Sequence, residues 1–194
     1  MTDLTDEIAA SAAQWVVEEG LEYGPAKKRA LKALGLPPRT PLPNNDQVEE
    51  EVRAYIELFC ADSQALELLA LRRHAMVWMT RLAEFRPYLG GAVWHGTATR
   101  LSDIYLQLFC DDAKSTEIEL INKGVDFEAR SVKGLHGELV EALSIHSFCD
   151  ELGEEIGVHL LINDFDDVRG ALKADSKGRS PRGDISALKR LIEA

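Results

Sequence analysis

Residues 90–106 read GGAVWHGTATRLSDIYL, and their interpretation decides the fold. Gly90 and Gly91 mark a turn. A short segment follows with the aromatic and basic residues Trp94, His95 and Arg100. Ser102-Asp103 then opens a run rich in β-branched and aromatic residues that ends at Asp111-Asp112, the signature of a strand over residues 103–110. Side chains alternate along a strand, so Asp103 and Tyr105 are expected on one face.

Outward from this stretch toward the C-terminus, residues 113–122 predict a short amphipathic helix with Ile118 and Ile121 on its apolar side, ended by Gly124. Residues 125–132 alternate as a strand, with Asp126 near its start. Two further strands are expected at residues 139–148 and 158–162, joined as a hairpin, and a last helix begins at its N-cap Asp184. Toward the N-terminus the pattern is helical. Ile8, Ala12, Trp15 and Val16 share a helix face. Pro25 and Gly35 bracket a second helix. Residues 36–45 hold four of the seven prolines and read as an extended linker. A third helix starts near Asn45, capped by Asn44 or Asn45, and a fourth runs over residues 63–84, apolar on most sides and expected to be buried. The fold class is α+β: a helical domain over residues 1–85, then a mixed β-sheet domain with flanking helices over residues 86–194.

The 90–106 stretch resembles the phosphate-and-metal loop of the minimal nucleotidyltransferases of the polymerase-β-like superfamily. That loop runs from a hydrophobic residue and Gly-Gly or Gly-Ser, through about ten residues, to Asp-hydrophobic-Asp-hydrophobic. Here Gly91-Ala92 stands in the place of Gly-Ser, and Asp103-Ile104-Tyr105-Leu106 in the place of Asp-Ile-Asp-Leu. The resemblance covers about 40 residues, from Tyr88 to Ala129. It implies a nucleotidyltransferase-like domain that binds a nucleoside triphosphate with Mg²⁺. Asp103 and Asp126 would be the catalytic and metal-binding carboxylates, and Gly91, Ala92, Gly96, Thr97, Arg100 and Ser102 would contact the nucleotide. Two departures bear on activity. Ala92 lacks the hydroxyl of the family's serine, and Tyr105 replaces the second metal carboxylate. A phenol with a pKa of about 10 is a poor ligand for a hard cation that takes oxygen donors in octahedral geometry. The expectation is weak or lost nucleotidyl transfer. The alternative is a catalytically inactive module that retains only the fold and binds a protein partner or a second copy of itself.

The remaining features are bland or exclude other classes. The chain has 194 residues, 45% hydrophobic, enough for a buried core. Its net charge of −11 repels phosphate backbones, so tight nonspecific binding to nucleic acid is not expected. An acidic N-terminus without an apolar core, and no apolar run of about 20 residues, predict a cytoplasmic protein without a membrane partner. Cys60, Cys110 and Cys149 form no C-x-x-C pair and read as core residues. Asp164 and Asp166 are a rival metal pair, with a helix cap at Asp166 or Asp167 the simpler reading. Lys173, Lys177, Arg179 and Arg182 form a basic loop, by preference solvated. None of the five histidines pairs in sequence, and no Gly-x-Ser-x-Gly or Ser/His/Asp pattern is visible.

Overall fold

The computed structural model describes residues 3–194, and the chain divides into two compact units. One holds the residues up to Leu68 together with Thr97–Ser102, and the other holds Leu69–Gly96 and Asp103–Ala194. No helix among the described residues is long and apolar enough to cross a membrane.

In the first unit α1 (Leu4–Glu19), α2 (Tyr23–Ala33) and α3 (Asn45–Phe59) pack around Ile8, Ala12, Ala13, Ala26, Ala30, Val48 and Val52, all essentially fully buried. The small residues among them let the helix axes approach closely. Asn44 caps α3 through a full capping box: its side chain accepts from the Gln47 amide at 2.8 Å, and the Gln47 side chain accepts from the Asn44 amide at 2.9 Å. Residues 36–44 of the proline-rich linker form no helix or strand, and Asn45 already belongs to α3.

α4 (Gln64–Arg81) begins in the first unit and continues into the second. It is not buried on most sides as expected. Ala70, Leu71, Ala75, Trp78 and Met79 are buried, but Leu66 is 72% exposed and Val77 is 53% exposed.

The second unit is built on a five-stranded mixed sheet of order β1-β2-β5-β4-β3. The strands are β1 (Tyr88–Gly90), β2 (Ile104–Cys110), β3 (Glu128–Lys133), β4 (Leu139–Cys149) and β5 (Glu154–Asp164). β2 and β5 are parallel, and the other neighbours are antiparallel. The architecture is therefore α+β, as read from the sequence. Between β1 and β2 the chain makes a short helix, α5 (Gly91–His95), and between β2 and β3 it makes α6 (Lys114–Asn122). The buried side of α6 is Thr116 and Leu120, whereas Ile118 and Ile121, the expected apolar pair, are 55% and 64% exposed. After β5 come a 3-10 turn (Phe165–Asp167), α7 (Val168–Ala171) and α8 (Ile185–Glu193). Asp184 caps α8 as expected, accepting from the Ala187 amide at 2.8 Å.

Alternation divides the sheet into two faces. Ile104, Leu106 and Leu108 of β2, Val158, Leu160 and Ile162 of β5, and Leu143 and Ile145 of β4 point to the buried face. There Ser147 accepts a hydrogen bond from Trp78 Nε1 of α4 at 2.9 Å and bonds His74 Nε2 at 2.8 Å. The opposite face carries Tyr105, Gln107, His159, Ser144 and His146. This polar face is where Asp103 arrives.

Candidate functional site

The register places one residue from each strand in a single row across the polar face. Gly90 pairs with Tyr105, Tyr105 with His159, His159 with Ser144, and Ser144 with Glu128. In-register neighbours point to the same side, so this row is a continuous polar surface. The Tyr105 ring stacks on the His159 ring, with centroids 4.8 Å apart and planes inclined by 27°.

Asp103, just ahead of β2, reaches over this row. His159 Nε2 lies 2.8 Å from its Oδ2, and His159 Nδ1 lies 2.9 Å from Ser144 Oγ. Asp103, His159 and Ser144 thus form one hydrogen-bonded chain across β2, β5 and β4. The His159 bond, followed by attraction to that ring and a bond from the Gly157 backbone, holds the Asp103 carboxyl below its ordinary value against the opposing effect of burial. Gly157 is required here. A methyl group at that position would sit 2.6 Å from Cγ and Oδ1 of Asp103, closer than real contacts allow.

The glycine turn lies at the other end of the row. Gly91 has φ +66°, a left-handed conformation that favours glycine, and its α-carbon faces the Tyr105 ring. Arg72 of α4 holds α5 in place, donating from Nε to Val93 O at 3.0 Å and from Nη2 to Trp94 O at 3.1 Å. Gly96, with φ +88°, ends α5, its amide bonded to Ala92 O at 2.9 Å.

The expected site residues divide between the two units. Gly91, Ala92, Gly96, Asp103 and Asp126 belong to the second unit, whereas Thr97, Arg100 and Ser102 belong to the first. Ser102 Oγ accepts from the Thr99 amide at 3.0 Å, so it serves its own turn. The Arg100 amide donates to Glu67 at 2.9 Å, and Thr97 is buried with a hydroxyl that has no hydrogen-bond partner. The Asp103–Asp126 metal pair is not assembled. β3 begins only at Glu128, leaving Asp126 exposed in the loop before it, and β3 is the edge strand, three positions from β2. At roughly 4.8 Å per strand the two strands are about 14 Å apart. β5 is the parallel neighbour of β2, and its residue in register with Tyr105 is His159.

These positions decide the fit of Mg²⁺. Asp103 is engaged by His159, Tyr105 stacks instead of coordinating, and Asp126 lies elsewhere. Among the described residues no group of three His, Cys, Asp or Glu side chains is placed to hold a metal ion. The residues present do not fit a two-metal clamp. Of the rival pair, Asp164 is engaged: it accepts from the Asp166 amide at 3.1 Å and caps the 3-10 turn, while Asp167, one of the two expected caps, stands at the N-cap position of α7 without a side-chain hydrogen bond there.

His159 and Ser144 were missed by sequence reasoning. Both lie within ordinary strand patterns, and only strand pairing brings them to Asp103. The basic loop is likewise organised rather than solvated at Arg182, which lies against Gly90.

No protein-family model and no curated protein matches the sequence. Solved structures similar to the chain include those of the Cid1 poly(U) polymerase. Its MgGTP-bound structure is 14% identical with a TM-score of 0.35, covering 50% of this chain and 32% of that one. A second Cid1 structure is 19% identical with a TM-score of 0.30, covering 62% and 31%. A cytoplasmic RNA terminal U-transferase is 19% identical with a TM-score of 0.33, covering 49% and 30%. The chain thus spans about a third of the length of these proteins. What this chain does therefore rests on its own residues.

Proposed function

We propose that this chain is a nucleotidyltransferase-like protein that binds a phosphate-bearing ligand, a nucleotide above all, on the open polar sheet face and has lost two-metal nucleotidyl transfer. One observation carries this reading: His159, in register beside Tyr105 on the strand parallel to β2, takes the Asp103 carboxylate at 2.8 Å. In-line phosphoryl displacement with two cations needs carboxylates that clamp both ions. Here the only carboxylate of the expected pair on this face is bonded to an imidazole. The features that support binding are the glycine turn and the polar row beside it.

The test is thermal stability of the full chain with ATP, CTP, GTP and UTP, each with a chelator, Mg²⁺ or Mn²⁺. A ligand that binds the native state raises the midpoint by mass action. The expected outcome is that any stabilisation is independent of metal. A shift that requires Mg²⁺ or Mn²⁺ and disappears in Asp103→Asn would refute the proposal.

A second reading, a module that keeps the fold for protein binding alone, is favoured by the first unit. Leu58, Phe59 and Leu66 are 75%, 69% and 72% exposed beside the acidic residues Glu57, Asp62 and Glu67. On that reading the molecule responds to no nucleotide, and Phe59→Ser abolishes association in sedimentation or pull-down assays.

A further inference from the structure

Arg182 is a half-buried cation without a counter-ion. Its Nη1 donates to the Ala171 carbonyl, a neutral acceptor. Its Nε is buried and has no hydrogen-bond partner. No carboxylate among the described residues pairs with it. In an acidic chain of net charge −11 this is anomalous, because a desolvated charge is costly unless an opposite charge and hydrogen bonds compensate it. Desolvation also pushes the Arg182 guanidinium below its ordinary value, the direction expected for a cation lacking an anion.

The position of Arg182 is fixed by its neighbours. Leu89 and Gly183 exchange backbone hydrogen bonds of 2.8 and 3.0 Å, forming an isolated antiparallel bridge at the free edge of β1. Trp94 Nε1 donates to Ser180 O at 2.9 Å, and the Trp94 ring packs directly on Gly183. Arg182 lies between these anchors. A methyl group built on Gly90 would be 3.9 Å from Arg182 Nε and 3.8 Å from its Cβ. Gly90 pairs with Tyr105, so that methyl would point to the polar face, and Arg182 sits on the same side as Tyr105 and His159.

We infer that Arg182, with the Gly90–Gly91 turn, forms a metal-independent subsite for a phosphoryl dianion, the guanidinium supplying the positive charge that a cation would otherwise bring. A guanidinium presents its donors in a planar fork that matches phosphate oxygens, and the glycine at position 90 keeps a methyl group out of the space beside Arg182. The inference rests on the reading of the polar face as a binding surface, and it adds the residue that recognises charge and the chemical class of the ligand. A nucleotide and a simple phosphorylated metabolite share this chemistry.

The test uses the full chain in a chelating buffer, with inorganic pyrophosphate, inorganic phosphate and ATP as probes and chloride at matched ionic strength as the control. Saturating pyrophosphate is expected to raise the midpoint by roughly 5 °C. Arg182→Ala is expected to weaken its apparent affinity at least about tenfold, and by itself to leave the ligand-free midpoint unchanged or raised, since it removes an unpaired buried charge. Arg182→Lys keeps the charge without the fork and carries the test if the alanine variant does not fold. It should bind with intermediate affinity, and wild-type affinity in Arg182→Lys would overturn the assigned fork. A larger response to ATP than to pyrophosphate identifies a nucleotide as the source of the phosphate, and equal responses identify the phosphate alone. An unchanged pyrophosphate response in Arg182→Ala overturns this inference while leaving metal-free binding on the polar face intact. A response that appears only with Mg²⁺ and is lost in Asp103→Asn overturns both. No response to any probe overturns the inference.

Discussion

Gly157→Ala is the sharpest perturbation of the polar face. Its added methyl would lie 2.6 Å from Cγ and Oδ1 of Asp103 and 2.7 Å from Oδ2, so the carboxylate must swing away from His159. The hydrogen bond lost has a charged acceptor, a class worth about 1.5–3 kcal/mol. Nearly half of the Asp103 side chain is exposed, at 44%, so solvent screening reduces this to about 1–2 kcal/mol. Replacing glycine by alanine in a strand returns roughly 0.5–1 kcal/mol through the unfolded chain. The net expectation is destabilisation of about 0–1.5 kcal/mol, a fall in midpoint of up to about 6 °C for a protein of this length. The diagnostic quantity is the coupling to Asp103. In Gly157→Ala combined with Asp103→Ala the methyl has nothing to displace, so the double variant should be at least about 0.5 kcal/mol more stable than the two single effects added together. Urea denaturation of all four proteins measures it. Additive effects, or a Gly157→Ala protein more stable than the wild type, would refute the assignment of Gly157 as the space that admits Asp103.

Further expectations follow from the same geometry. Restoring carboxylates on the adjacent strands, as Tyr105→Asp with His159→Asp, and Ala92→Ser at the glycine turn, should create stabilisation by Mg²⁺ that the wild type lacks; calorimetry with and without Mg²⁺ reads it, and no gain would mean that the sheet face never had metal geometry. His74 is pushed below its ordinary value by burial, partly offset by Asp150. A histidine with a depressed folded value contributes stability that is fully present above its unfolded value of about 6.5 and is lost as pH falls through that range. His74→Gln should flatten the stability profile between about pH 7 and pH 5, whereas an unchanged slope would assign it to other groups. Ile118→Lys on the exposed side of α6 should alter stability by less than about 0.5 kcal/mol. A larger loss in urea denaturation would show that this side is covered in solution.

Much of the fold is legible because its signals are local. The capping box at Asn44, the Asp184 cap and the alternation along β2, β4 and β5 each depend on residues a few positions apart. The hydrophobic face of α6 misleads because Ile118 and Ile121 have helical spacing, while the pair that is buried, Thr116 and Leu120, includes a polar residue. The site is less legible for a different reason. Placing the third carboxylate at Asp126 assumes that the next strand in sequence lies beside β2. The chain instead sends β3 to the far edge and returns β5 to that place, so the partner of Asp103 is found 56 residues along. No pattern around His159 announces this, because strand order is a property of the whole sheet. Arg182 is hidden similarly: its basic neighbours resemble a solvated loop, and only the bridge at Leu89 reveals that this residue is held against the glycine turn.

The detour that the chain makes between β2 and β5 has a kinetic consequence. The β4–β5 hairpin closes through a tight turn at residues 150–153, whereas β2 meets β5 only after α6, β3 and β4 have been threaded between them. Closing the longer loop costs more chain entropy, and contacts of high sequence separation are slow to form. The hairpin should therefore organise first and offer β5 as a template on which β2 docks late. In transition-state terms, Ile145→Val in β4 should slow refolding, and Leu106→Ala in β2 should chiefly speed unfolding. The reverse order of sensitivities would contradict this route. The polar row would then be the last part of the sheet completed, and a partly folded chain would keep its hairpin while lacking that row.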